Sequence, residues 1–190
     1  SSYTHHPFYS QFVLEVPDNW MWHSMYNLPM GEMMEVLDAC IEAGHPVAWG
    51  TDVSEKGFSR QKAIAVIPEV VEKNTIGSDA EHWGKLSDAE KQAMINNLEG
   101  PMKEKTITQQ MRQEAYDNYQ TTDDHGMVIV GTATDQAGNP FYKVQNSWGD
   151  NGPYKGFYYF SLPFFEYKTM DIMVHKSMVP KEIMKKIGLK

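Results

Sequence analysis

DHGMVIVGTATDQAGNPFYKVQNSWGDNGPYKGFYYFS, Asp124 to Ser161, is the stretch that decides the fold. Gly126 to Ala133 (GMVIVGTA) is an apolar run rich in β-branched residues, which reads as a strand. Asp135 to Pro140 (DQAGNP) is a turn signal, and Phe141 to Val144 (FYKV) is placed to pair back on the first run as a hairpin. Gly149 to Gly156 is a Gly/Asn/Pro loop, and Gly156 to Ser161 (GFYYFS) is a further strand. Downstream, Met170 to His175 (MDIMVH) predicts another strand, and Pro180 to Lys190 a short basic helix.

Upstream the periodicity changes. Gly31 to Ala43 reads as a helix, with Met33, Val36, Leu37, Cys40 and Ile41 on one face and Gly44 as its stop. Phe12 to Val16 (FVLEV) alternates like a short strand, and Pro46 to Gly50 (PVAWG) reads as a buried one. Gly57 to Val66 fits neither template, and Ile67 to Gly84 reads as a surface excursion. Ser87-Asp88-Ala89-Glu90 is a capping box that predicts a helix to about Glu99, ended by Gly100-Pro101. Thr108 to Tyr119 reads as one more helix. Helices followed by mostly antiparallel strands make the chain α+β. Three portions are expected: a helix-rich and loop segment over 1–120, a β portion over 121–179, and a tail over 180–190.

Composition narrows the function. The chain has 190 residues, 41% of them hydrophobic and 22% charged, which supports a core and excludes wholesale disorder. No apolar run is long enough to span a bilayer, and no signal peptide is visible at the start, so a cytoplasmic location without membrane contact is the expectation. The net charge of -8 argues against nucleic acid, since the one basic cluster is Lys181, Lys185, Lys186 and Lys190. That tail also reads as an ordinary solvated end. The single cysteine allows no internal disulfide.

His125 and Asn146 are the residues most suited to chemistry. They lie 21 positions apart on strands joined by a turn, so their side chains can meet at one end of a hairpin. An Asn amide oxygen can accept the proton of one imidazole nitrogen and aim the other at a nucleophile. Trp148 stands where it would keep water off the pair. A base held in this way contributes about two to four orders of magnitude in rate. Alone, a histidine at a strand start reads as structural; Asn146-Ser147-Trp148-Gly149 at hairpin distance reverses that reading. Asp124 neighbours His125 on a strand, points to the opposite face, and suits solvation or holding the strand end better than a triad role. Cys40 falls on the apolar face of its helix, where a free thiol is an inert small hydrophobe. His5 and His6 lack a third ligand at metal-binding spacing, so no metal is expected.

DHGMVIVG followed by KVQNSWG and KGFYYFS resembles the papain-type cysteine peptidases. THHPFY, FVLEVPDNW, AWGTDVSEKGFS and RQEAYDNYQTTDDHGM narrow the resemblance to the bleomycin hydrolase and aminopeptidase C branch in its bacterial form. The resemblance implies a papain-like fold and removal of N-terminal residues from peptide substrates without a cofactor. It also implies a homo-oligomer, a hexamer around a central cavity in the family. It makes His125 the catalytic base, Asn146 the residue that orients its ring, and Trp148 the cover of that pair.

Two departures stand against the pattern. The family's nucleophile lies in a motif with a Gln ahead and Cys-Trp at the site, and Cys40, in DACIEAG, has no following Trp. The segment is therefore expected to be a C-terminal portion, its nucleophile-bearing half supplied elsewhere, and inactive alone. The alternative is a non-catalytic binding or assembly module. The end, VPKEIMKKIGLK, is shorter and more basic than the family's C-terminal arm, which leaves open whether the Lys190 carboxylate reaches the cleft.

Overall fold

The structure is a computed structural model that describes residues 1–69 and 86–190. Its frame is a seven-stranded sheet of β3 (Val47–Thr51), β4 (Phe58–Ser59), β5 (Ile64–Ala65), β6 (His125–Thr134), β7 (Pro140–Gln145), β8 (Phe157–Ser161) and β9 (Thr169–Met173). The strand order is β4-β5-β8-β7-β6-β3-β9. β1 (Gln11–Val13) and β2 (Ser24–Tyr26) pair separately as an antiparallel ribbon. The expected hairpin is β6–β7, with Ala133 opposite Phe141 and Val128 opposite Gln145. Its turn closes because Asp135 Oδ1 accepts from the backbone N–H groups of Ala137 and Asn139, both at 2.8 Å. Such local side-chain bonds make Asp a turn residue.

Alternation along the strands sorts the two faces of the sheet. Val47, Trp49 and Thr51 of β3 and Met127 and Ile129 of β6 are buried, while Gly126, Val128 and Val130 are exposed. Helix α1 (Met30–Glu42) lays Met33, Met34, Val36, Leu37 and Cys40 into the core. Trp49 sits edge-on to Phe160 at 4.8 Å and stacks on Phe165 at 5.2 Å. Its indole N–H donates to Thr169 Oγ1 at 2.8 Å, so the one polar atom of a fully buried ring is satisfied.

The other helices among the described residues are α2 (Asp88–Asn96), α3 (Gln109–Asp117), α4 (Leu162–Lys168) and α5 (Lys181–Lys186), with a 3-10 turn over Lys176–Met178. The Ser87–Glu90 capping box is present, and Thr108 Oγ1 caps α3 by accepting from Met111 N–H at 3.2 Å. α2 ends three residues before the expected Glu99, with Asn97 as its C-cap. The ambiguous 57–66 stretch resolves into β4 and β5, and β5 joins β8 in parallel. α4 follows β8 directly, over residues to which the sequence reading assigned no element. Ser161 Oγ accepts from Phe164 N–H at 3.2 Å and Pro163 sits in the first turn, a start that suits a helix. Most of the expected 67–84 excursion lies outside the described residues; Ile67 is buried and Pro68 bridges to Glu104. Among the described residues no helix is long and apolar enough to cross a membrane.

Cys40 is 1% exposed and burial pushes its thiol up, so it should resist a thiol reagent in the native chain and react at once in denaturant. Rapid native modification would place it elsewhere than the core. Glu104 Oε2 accepts from Ile67 N–H and Ser161 Oγ, both at 2.6 Å, and burial pushes the carboxyl from 4.5 up to about 7. The folded state thus holds this proton more tightly than the unfolded chain. Its contribution is complete below pH 4.5 and is lost as pH rises through about 7. Glu104→Gln should gain on the wild type across that window, by about 1–3 kcal/mol, in denaturant titrations at about pH 5 and about pH 8.

Candidate active site

His125 opens β6, opposite Thr51 of β3. Asn146 follows β7 directly, and its backbone N–H donates to Gly156 O at 3.0 Å. Residues 125, 127 and 129 share one face of β6, and Ile129 pairs with Val144, two residues before Asn146. Strand parity therefore sends both side chains to the same side. They meet there, with His125 Nε2 and Asn146 Oδ1 2.8 Å apart. With the amide oxygen facing the ring, Nε2–H is the donor in this contact. Nδ1 makes no hydrogen bond to the described residues, and Asn146 is only 6% exposed.

Trp148 lies with its ring centroid 4.6 Å from that of His125, tilted by 36°. Phe58 and Tyr158 meet the indole edge-on, each at 6.0 Å, and the Arg60 guanidinium stacks at 4.5 Å. Asn151 Nδ2 donates to Trp148 O at 2.8 Å. The loop behind the indole needs glycine at its closing end. Gly156 has φ +84°, and a Cβ there would stand 2.5 Å from Gly149 O. That close approach keeps Gly156 O in place for Asn146.

The neighbouring acids do not complete a triad. Asp124 Oδ1 accepts from Val53 N–H at 2.9 Å, so it ties the start of β6 to the segment after β3. Burial, with Asp52 beside it, pushes its carboxyl up. Asp123 is pushed up to about 7, first by burial and then by Asp171. A depression of about 570 Å³ opens on the exposed face of the sheet beside Asn146, lined in part by Gly50, Gly126, Ser147 and Asp171.

The other residues considered from sequence lie elsewhere. His5 stacks on Tyr116 at 5.3 Å and its Nδ1 bonds Gln113 Nε2 at 3.0 Å, while His6 packs on Phe12 at 4.8 Å. Among the described residues no cluster of three or more His, Cys, Asp or Glu could hold a metal ion. In the tail, Ile183 is buried and Lys186 pairs with Glu32 of α1 at 2.7 Å. Arg60 over Trp148 went unforeseen from sequence, since it lies in the stretch without periodicity.

A family model described as Peptidase C1-like family matches residues 95–189, half of the chain, and that span contains His125, Asn146 and Trp148. Aminopeptidase C of Streptococcus thermophilus is 26% identical over 158 residues, 82% of this chain and 29% of that protein. Aminopeptidase W of Lactobacillus delbrueckii subsp. lactis is 38% identical over 60 residues, 32% of this chain and 14% of that protein. The chain thus spans less than a third of the length of these relatives. The crystal structure of PepW from Lactobacillus rhamnosis HN001 superposes with a TM-score of 0.63 at 19% identity, over 98% of this chain and 36% of that one. The expected α+β, papain-like fold is borne out by that superposition together with the family model. On the span that the model matches, the protein belongs to the Peptidase C1-like family.

Proposed function

We propose that this chain is the base-bearing part of a thiol-dependent aminopeptidase that removes N-terminal residues from peptides. The observation that carries the reading is the 2.8 Å contact between His125 Nε2 and Asn146 Oδ1, with Nδ1 open and Trp148 over the pair. In this scheme Nδ1 takes the proton of a cysteine thiol contributed by sequence outside the chain. The thiolate attacks the scissile carbonyl, and the imidazolium returns the proton to the leaving amine. Asn146 keeps Nε2–H bonded throughout, so the ring presents one tautomer to each step. Residues 121–179 then form the site-bearing portion, 1–120 its support and 180–190 a tail. The substrates are peptides, no cofactor is required, and the working assembly is a homo-oligomer that includes the nucleophile-bearing half.

The burial of Cys40 supports the companion expectation that the chain alone is inactive. It also favours, as the second reading, a non-catalytic binding or assembly module. Turnover separates the two. Joined to its upstream sequence, the protein should release N-terminal residues from peptide amides, and His125→Ala should lower kcat by about 10²–10⁴-fold or more. Asn146→Ala should cost less, because the ring remains and only its orientation is lost. Wild-type turnover by folded His125→Ala would remove the imidazole from the mechanism; no turnover by the joined wild type would leave the module.

A further inference from the structure

Lys168, the last residue of α4, has no part in the chemistry above, yet its side chain is 2% exposed. Its ammonium lies 3.5 Å from Asp52 Oδ2 and 3.2 Å from Glu55 Oε2, and donates to Gln120 O at 2.5 Å. Its backbone carbonyl accepts from Asp52 N–H at 3.1 Å and from Thr51 Oγ1 at 2.9 Å. Asp52 extends the grip: Oδ1 accepts from Ser54 N–H at 2.7 Å and Oδ2 from Thr122 N–H at 3.1 Å. Two segments meet around this one cation. Residues 51–55 leave β3, residues 120–124 enter β6, and the second segment ends at His125. The Asp124 bond to Val53 N–H is a further tie between them.

Stability is a poor reason for such a group. Desolvating an ammonium costs several kcal/mol, and an apolar replacement of a buried ion pair is often neutral or stabilising. What the ammonium adds is direction, since three donors on one centre fix two carboxylates and a carbonyl relative to one another. The imidazole has need of that. A shift of about 1 Å in the start of β6 would break a 2.8 Å bond to Asn146, and displacements of that size cost about two orders of magnitude in turnover.

We propose that Lys168 is a positioning residue: its ammonium, held by Asp52, Glu55 and Gln120 O, sets where the His125 ring lies against Asn146. The inference rests on His125 acting as the base, but its test reads the ring and not turnover. In the 190-residue chain labelled with 15N-histidine, the wild type should show an Nε2-bound proton protected from exchange. Lys168→Met removes the ammonium while both Asp52 oxygens keep their backbone N–H bonds, which Asp52→Asn would not allow. In the folded variant the protected proton should be lost and the His125 ring 15N signals displaced. An unchanged proton and unmoved signals in that folded variant would overturn the proposal. Should it not fold, Glu55→Gln removes one partner of the ammonium at a partly exposed position. It should shift the His125 signals in the same direction by less, and unmoved signals there are equally fatal. An inactive joined protein whose ring signals respond as expected would count against the aminopeptidase reading and not against this one.

Discussion

The register of the β6–β7 hairpin is the constraint on which the site depends. Ile129 opposite Val144 and Val128 opposite Gln145 put residues 125 and 146 on one side of the sheet at one end of the ladder. Because side chains alternate with period two, a slip of one residue would send His125 and Asn146 to opposite faces. The irregularity between Ile129 and Gly131 matters for the same reason. Beyond it the pairing advances by one, to Gly131 opposite Lys143, so the turn end and the site end obey different registers within one hairpin. The bulge lets the DQAGNP turn close in its own geometry without dictating which residues meet at the far end.

A correct register is necessary but leaves the rings free to tilt, and packing removes that freedom. Trp148 packs against the His125 ring and the Arg60 guanidinium and meets Phe58 and Tyr158 edge to face. The loop returns from Trp148 to β8 through the close approach of Gly156 to Gly149, and it delivers the carbonyl that receives Asn146 N–H. The indole cover and the amide orienter are thus two products of one loop, which explains their nearness in sequence. The same economy appears at Trp49: it fills the core between β8 and α4, while the next residue but one, Thr51, lies opposite His125.

What the sequence made legible was local. The hairpin turn, the Ser87 capping box and the stripe of α1 each draw on neighbours within about four residues, and their signals lie in the string itself. β4 and β5 have two residues each, too short for any periodicity to register. The parallel pairing of β5 with β8 joins residues almost a hundred positions apart, so nothing near either strand announces it. α4 was concealed by its seven-residue length and by Phe164 and Phe165, which favour strands. In the site, His125, Asn146 and Trp148 were readable because one hairpin and its following loop bring them together. Arg60 and Lys168 were not, since each reaches its partners through tertiary contacts.

The buried charges show how far tertiary structure goes beyond that local code. Arg112 in α3 is 1% exposed, makes no ion pair within 4 Å among the described residues, and donates to the carbonyls of Ser2 and Glu166. Lys168 is equally deep but has two carboxylates. Both cations draw backbone carbonyls from distant segments, and both bracket α4, Arg112 at Glu166 and Lys168 at its end. A short helix rich in aromatics could slide along the core at little hydrophobic cost, because apolar contacts are non-directional. Two cations with fixed hydrogen-bond partners make sliding expensive, since any shift leaves a buried donor unmet. On the proposed reading, α4 is the anvil for the catalytic base. Its aromatic face supports β3 and β8, its terminal ammonium holds the segment that carries His125, and neither function would tolerate a loosely seated helix.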